Sequence, residues 1–167
     1  PSDISPEVSA GIGLFNYTGH GAEDVCVTGN FSSSHVNAAT NNGKYPFVVS
    51  VACNNGTFTS GNCISEVWTR ATNAGSPSGA IAACGSTILM AWAEPMQTQD
   101  EMAEIISHSY ASNRKATLGG LFYNAQMSCI DDHGSGGEEV MQTWVFFGDP
   151  CVMIRTDDPT NMAVNHL

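Results

Sequence analysis

The chain has 167 residues and a mass of 17.6 kDa, with 16 acidic residues against five basic and a formal net charge of −11. That balance disfavours phosphate backbones, whose affinity for proteins comes mostly from lysine and arginine, so nucleic acid is set aside as a partner. No run approaches the ~18 apolar residues of a membrane span, and the opening PSDISPEVS has neither the basic region nor the apolar core of an export signal.

Residues 1–10 are polar, with Pro1 and Pro6, and read as a loop. Ile12 to Gly21 is a strand-like run ending in a histidine, His20, flanked by Gly19 and Gly21. The stretch 22–45 is rich in Ser, Thr, Asn and Gly and reads as a long surface connection, with a short helix around Ser33 to Ala39 and a solvated His35. Phe47, Val48, Val49, Val51 and Ala52 form a nearly continuous apolar run, the pattern of a parallel strand covered on both faces. The run stops at Cys53, and Asn54, Asn55 and Gly56 supply turn chemistry tolerant of positive φ. Asn62 to Asn73 reads as a helix capped by Asn62, with Ile64, Val67, Trp68 and Ala71 on one face. Gly75, Pro77 and Gly79 turn the chain into a third strand, Ala80 to Cys84.

The loop that follows carries Met90, Trp92, Glu94 and Met96, with Glu94 expected to face water. Gln97 to Tyr110 has Met102, Ile105, Ile106 and Tyr110 at helical spacing, with His108 on or beside the polar side. A second helix is expected over Thr117 to Asp132, with Leu121, Phe122, Ala125 and Cys129 inward. Cys129, Asp131, Asp132 and His133 match no closed zinc spacing and read as a solvated helix end. Gly134 to Gly137 reads as flexible, Cys151 to Arg155 as a last strand, and Thr156 to Leu167 as a polar tail. There are no internal repeats and no phosphate-binding or dinucleotide fingerprint.

Cys53 and His20 are the chemically informative pair. Each is expected at the carboxyl end of a strand, the edge where open α/β sheets bind ligands. A histidine that takes a thiol proton, with backbone amides holding an oxyanion, is suited to acyl transfer. From the residues alone a bland reading stands beside this one, with Cys53 a small buried hydrophobe and His20 a turn residue. Six cysteines, at 26, 53, 63, 84, 129 and 151, leave room for at most two internal bridges if Cys53 stays free. Cys63 and Cys84 read as inert buried thiols. Sequons begin at Asn16, Asn30 and Asn55; a glycan at Asn16 or Asn55 would obstruct the His20 strand or the Cys53 site.

Four segments resemble the catalytic domain of the gingipain family of secreted cysteine peptidases, in the caspase-like clan. They are FNYTGHG (Phe15 to Gly21), PFVVSVACNNGTF (Pro46 to Phe58), AWAEPMQTQDEM (Ala91 to Met102) and TWVFFGDPCVMIRT (Thr143 to Thr156). The resemblance spans about Gly11 to Thr156. It implies an α/β, caspase-like three-layer sandwich, a mainly parallel sheet flanked by helices, lacking its N-terminal portion. Residues 1–157 would be the C-terminal portion of the catalytic domain and 158–167 a tail or linker toward a following domain. By resemblance Cys53 is the nucleophile, His20 the general acid/base, the amides of Gly21 and Cys53 the oxyanion donors, and Trp92, with Met96, part of the substrate pocket.

The activity so implied is a secreted cysteine endopeptidase working through a thioester acyl-enzyme. The acidic residue that selects a basic P1 side chain in some family members falls in the upstream portion, outside this chain. No cofactor is required by that chemistry. The resemblance allows structural calcium, for which the sequence offers no ligand set. Expected partners are a protein or peptide substrate and the chain's own upstream segment, and the expected setting is secreted or cell-surface, in a bacterium. Two other functions share these residues: a sortase-like transpeptidase that resolves the acyl-enzyme with an amine, and a non-catalytic adhesion or binding fragment that keeps the sheet without a complete site.

Overall fold

The computed structural model describes residues 1–59, 61–112 and 115–154. Its centre is a four-stranded sheet of β1 (Leu14–Thr18), β5 (Phe47–Val51), β8 (Ala82–Ser86) and β9 (Trp144–Gly148), in that spatial order. The first three run parallel; β9 is antiparallel to β8. Three minor strands, β2 (Gly21–Ala22), β3 (Val25–Cys26) and β4 (Phe31–Ser32), form a small meander after β1, and β6 (Thr72–Asn73) pairs with β7 (Ser76–Pro77) in a two-residue ribbon. Ala74 and Gly75, both at positive φ, make the ribbon's tight turn, as a right-twisted hairpin requires.

Among the described residues, six helices cover the sheet. On one face lie α1 (Ile4–Ala10), α2 (Ser33–Asn37) and α3 (Ile64–Arg70); on the other lie α4 (Ala93–Ile106), α5 (Leu118–His133) and α6 (Ser135–Thr143). The central strand β5 divides its side chains by the two-residue period of a strand. Phe47, Val49 and Val51 enter the core with Met102, Ile105, Phe122 and Trp144, whereas Val48 joins Val8, Phe31, Val36 and Trp68. All five β5 residues are buried, as the unbroken apolar run predicts for a doubly covered strand. The expected three-layer α/β sandwich with a mainly parallel sheet is the observed architecture.

Several boundaries differ from expectation. Residues 4–10 form helix α1 instead of a loop: Pro6 sits in the first turn, where a missing N–H breaks no helical bond, and Val8 packs into the core. Helix α4 begins at Ala93, not Gln97, so Glu94 and Met96 lie on its first turns, and it ends before Tyr110, whose hydroxyl donates to Glu101 at 2.8 Å. Helix α3 starts one residue later than expected, capped at Cys63, whose amide donates to Glu66 Oε2 at 3.1 Å, and stops at Arg70. The third strand is displaced from Ala80–Cys84 to Ala82–Ser86.

The glycine-rich stretch read as flexible is the start of α6. A Cβ on Gly137 would stand 2.4 Å from the Cys129 carbonyl oxygen, so glycine there allows α6 to press against α5. The sheet's last strand is WVFFG, ahead of the predicted Cys151–Arg155, of which Met153 makes an isolated bridge to Thr117 and Arg155 lies outside the described residues. The expected tail over 158–167 also lies outside them. His35 is half-buried, not solvated: its ring stacks on Phe31 and its Nδ1 accepts the Ser32 amide at 3.0 Å, capping α2. All six cysteines are free thiols.

Candidate active site

The parallel pairing of β1 with β5 ends at Thr18 opposite Val51. His20 and Cys53 each stand two residues beyond that pair, so the imidazole and the thiol leave neighbouring strands at the same level of the sheet's carboxyl edge. The Gly19 amide donates to the Val51 carbonyl at 3.1 Å and carries the pairing up to the histidine. A Cβ on Gly19 would meet Tyr17 Oη at 2.5 Å and Thr28 Oγ1 at 2.7 Å. Those two hydroxyls hold the turn: Tyr17 Oη donates to the His20 carbonyl at 2.7 Å, and the His20 amide donates to Thr28 Oγ1 at 3.1 Å.

Gly21 is pressed still closer. A Cβ there would lie 2.6 Å from the Cys53 carbonyl oxygen and 2.7 Å from Ala52 Cβ, so the backbone after the histidine lies against the backbone bearing the cysteine. Within the hairpin the Val27 amide donates to the His20 carbonyl at 2.8 Å, which makes Gly21, opposite Cys26, a non-hydrogen-bonded register position. Its N–H therefore points away from β3.

Beyond Cys53 the chain leaves the strand through Asn54 at φ 59°, the left-handed conformation that asparagine accepts more readily than most residues. The Asn54 amide donates to the Ile88 carbonyl at 3.0 Å, tying the turn to the segment between β8 and α4. That segment also supplies the thiol's hydrogen bond, since the Met90 amide donates to Cys53 Sγ at 3.3 Å. Farther along it, Trp92 sets its ring edge-on to His20, with centroids 5.6 Å apart and planes at 81°. A hollow of about 180 Å³ is lined by Gly19, His20, Ala52, Cys53, Met90 and Trp92.

His20 is exposed, Cys53 half-buried and Trp92 47 % exposed, so all three are open to a ligand from outside. Met96 lies on the exposed side of α4, its amide donating to the Trp92 carbonyl at 3.2 Å; it is not among the residues lining the hollow. Glu94 is half-buried against the start of α6, where a Cβ on Gly136 would sit 2.9 Å from its Oε1. A second hollow, about 90 Å³, lies among Phe47, Ile81, Leu118 and Met153 and carries neither thiol nor imidazole.

The remaining thiols differ from Cys53 in environment. Burial pushes the Cys26 thiol up to about 12 and the Cys84 thiol well above its ordinary value, and it raises Cys63 and Cys129 as well. Cys151 is exposed, on the loop after β9. Among the described residues no group of three or more His, Cys, Asp or Glu side chains gathers to hold a metal ion, and Cys129, Asp131, Asp132 and His133 form no such cluster.

Two supporting side chains carry no local sequence signal. Gln99, on α4, donates to Asn16 Oδ1 at 2.6 Å and to the Tyr17 carbonyl at 3.2 Å and accepts from Thr18 Oγ1 at 2.6 Å, fastening the α4 helix to the His20 strand. Asn55, legible only as a turn former, is fully buried and bonds the Cys53 turn to the β2–β3 hairpin.

The family model of peptidase family C25 matches residues 2–155. The chain belongs to peptidase family C25. It is 41% identical over 165 residues to gingipain R2 and to gingipain R1 of Porphyromonas gingivalis, an alignment covering 98% of this chain but 22% and 17% of those relatives. The crystal structure of the Arg-specific cysteine proteinase gingipain R superimposes with a TM-score of 0.92 at 41% identity, over 96% of this chain and 37% of that one. A complex of the pro- and mature domains of P. gingivalis RgpB matches with a TM-score of 0.90 at 40% identity, over 96% of this chain and 38% of that one. The chain thus spans about a fifth of the curated C25 relatives and over a third of the solved chains.

Proposed function

We propose that this chain carries the nucleophile and the general base of a cysteine endopeptidase. The observation that carries the reading is the placement of His20 and Cys53 at one level of adjacent parallel strands, opening into one hollow. In the proposed reaction Cys53 Sγ attacks the scissile carbonyl carbon while His20 takes the thiol proton. The tetrahedral oxyanion is held by the backbone amides of Gly21 and Cys53, a role supported by the closeness of the two backbones and by the Gly21 N–H being turned away from β3. His20 then gives its proton to the leaving amine as the C–N bond breaks, leaving a thioester. Water, deprotonated by His20, attacks the thioester, releases the acid product and restores the thiol. No cofactor takes part in this sequence.

Trp92 forms an aromatic wall for the P1 side chain in this proposal, with Met96 extending the surface one helical turn away. A basic P1 residue is the proposed preference, supported by the description of the solved relative as Arg-specific. Residues 1–157 act in it as the C-terminal portion of the catalytic domain, completed by an upstream segment of the same gene product. Processing from a larger precursor is supported by the pro- and mature domains of the P. gingivalis complex. A secreted or cell-surface bacterial setting is supported by the bacterial source of the relatives.

The test is labelling of the complete gene product with peptidyl acyloxymethyl ketones bearing Arg, Lys or neutral P1 groups, read residue by residue by mass spectrometry. Fast modification of Cys53, lost in His20→Ala and fastest with a basic P1 group, is expected. Slow labelling shared between Cys53 and the exposed Cys151, unchanged by His20→Ala, would remove the basis for the peptidase reading.

A further inference from the structure

The two halves of the proposed site, the His20–Gly21 hairpin and the Cys53 turn, are joined by one buried side chain. Asn55 is fully buried two residues after Cys53. Its Nδ2 donates to the carbonyl of Ala22 and, at 3.1 Å, to that of Val25, the paired residues of the β2–β3 hairpin. Its Oδ1 accepts from Ser50 Oγ at 2.8 Å, on the strand that delivers Cys53, and from Cys26 Sγ at 3.6 Å. The Asn55 carbonyl in turn accepts the Ser65 amide at 3.2 Å, so the main chain at this position is anchored to α3.

An asparagine amide has two donor hydrogens and an oxygen with two lone pairs, and here each is used. The donors go to one half of the site. One acceptor position goes to the strand of the other half. A Cβ on Gly21 would stand 3.1 Å from Asn55 Nδ2, which puts the amide close against the backbone proposed to hold the oxyanion. A fully satisfied buried polar group fixes one geometry, because any displacement leaves a donor or acceptor unpaired away from water.

Resting on the peptidase reading above, we infer that Asn55 is a positioning residue for the reaction: it sets the distance of His20 and the Gly21 amide from Cys53 without touching substrate. A packing role alone predicts a loss of stability. A positioning role predicts in addition a loss of turnover with little change in substrate affinity, because the reacting groups are displaced while the Trp92 wall, on a different segment, is not.

The experiment compares native protein, Asn55→Ala and Ser50→Ala in the complete gene product. Ser50→Ala removes a bond to the same Asn55 oxygen but leaves both Nδ2 donations to the hairpin and the bond from Cys26. Asn55→Ala is expected to lower kcat on the order of 100-fold, the effect of an ångström-scale misplacement, with KM within about threefold of native. It is also expected to abolish the His20-dependent part of Cys53 alkylation by iodoacetamide, measured against pH as the difference from His20→Ala. Ser50→Ala is expected to keep kcat within about twofold of native while melting at a lower temperature. If Asn55→Ala does not fold, Asn55→Asp serves instead: it keeps the shape and the bond from Ser50 but loses the paired donation to the hairpin.

Native-like kcat in the folded Asn55 variant, or an equal fall of kcat in Ser50→Ala, overturns the inference and leaves the peptidase reading standing. Absence of His20-dependent alkylation in the native protein overturns the peptidase reading itself, and the positioning role falls with it.

Discussion

Gly21→Ala is the sharpest probe of how tightly the two strand ends are pressed together. The added Cβ would lie 2.6 Å from the Cys53 carbonyl oxygen, where ordinary contact begins at 3.4 Å. The difference, 3.4 − 2.6, is 0.8 Å, and both neighbours within 2.7 Å, the Cys53 carbonyl and Ala52 Cβ, belong to the buried sheet edge and cannot swing aside. The hairpin must therefore back away by most of that distance and carry the Gly21 amide with it. Gly21 is not at positive φ, so alanine strains no dihedral there and the whole effect is steric. Overpacking of this kind costs about 1–3 kcal/mol of stability, or roughly 2–12 °C in melting temperature for a chain of this size. A displacement near an ångström at the proposed oxyanion donor corresponds to a fall in kcat on the order of 100-fold. The assay is hydrolysis of a peptidyl substrate in the complete gene product, normalised to folded protein by calorimetry. A Gly21→Ala enzyme within about twofold of native kcat would refute the close approach as a working part of the site.

Trp68 stacks on Phe31 at 5.6 Å and packs against Phe15 at 5.2 Å while 1 % exposed, so Trp68→Ala should cost about 3–5 kcal/mol in urea unfolding; a loss below about 1 kcal/mol would contradict the packing. The Cys26 thiol is raised by burial from 9.0 to about 12, so the folded state keeps its proton where the unfolded state gives it up. Its contribution is therefore intact below pH 9 and is lost as pH rises from 9 toward 12, at about 1.4 kcal/mol per pH unit. Urea titrations across that window should show the native protein losing stability faster than Cys26→Ala by about that slope; parallel curves would contradict it.

What could be read in advance was local. A strand-like run announced β1 and nearly continuous apolar runs announced β5 and, two residues early, β8; the ends of β1 and β5 were marked by Gly19 to Gly21 and by Asn54, whose positive φ is the abrupt exit expected of it. The errors have common physical sources. Pro6 and the Gly134 to Gly137 stretch were read as interruptions, yet Pro6 lies in the first turn of α1, where proline is harmless, and Gly136 and Gly137 permit close packing of α6. Two apolar runs near the end, WVFFG and CVMIR, compete for one strand position, and propensity alone does not decide which pairs with β8. The thiol and the imidazole stood out as candidates because each ends a strand-like run, and the structure places both on one hollow. Asn55 and Gln99 did not stand out, because their meaning lies in partners as many as 33 and 83 residues away.

Trp92 differs from the other two tryptophans in a way that makes the molecule observable. Trp68 and Trp144 are sealed in the two cores, at 1 % and 2 % exposure, whereas Trp92 stands 47 % exposed on the rim of the hollow. A neutral collisional quencher such as acrylamide reaches one indole and not the others, so the quenchable part of the protein's own fluorescence is the signal of the site. Occupancy of the hollow can thus be followed in unlabelled, unmodified protein, including variants at Cys53 that have no turnover to measure.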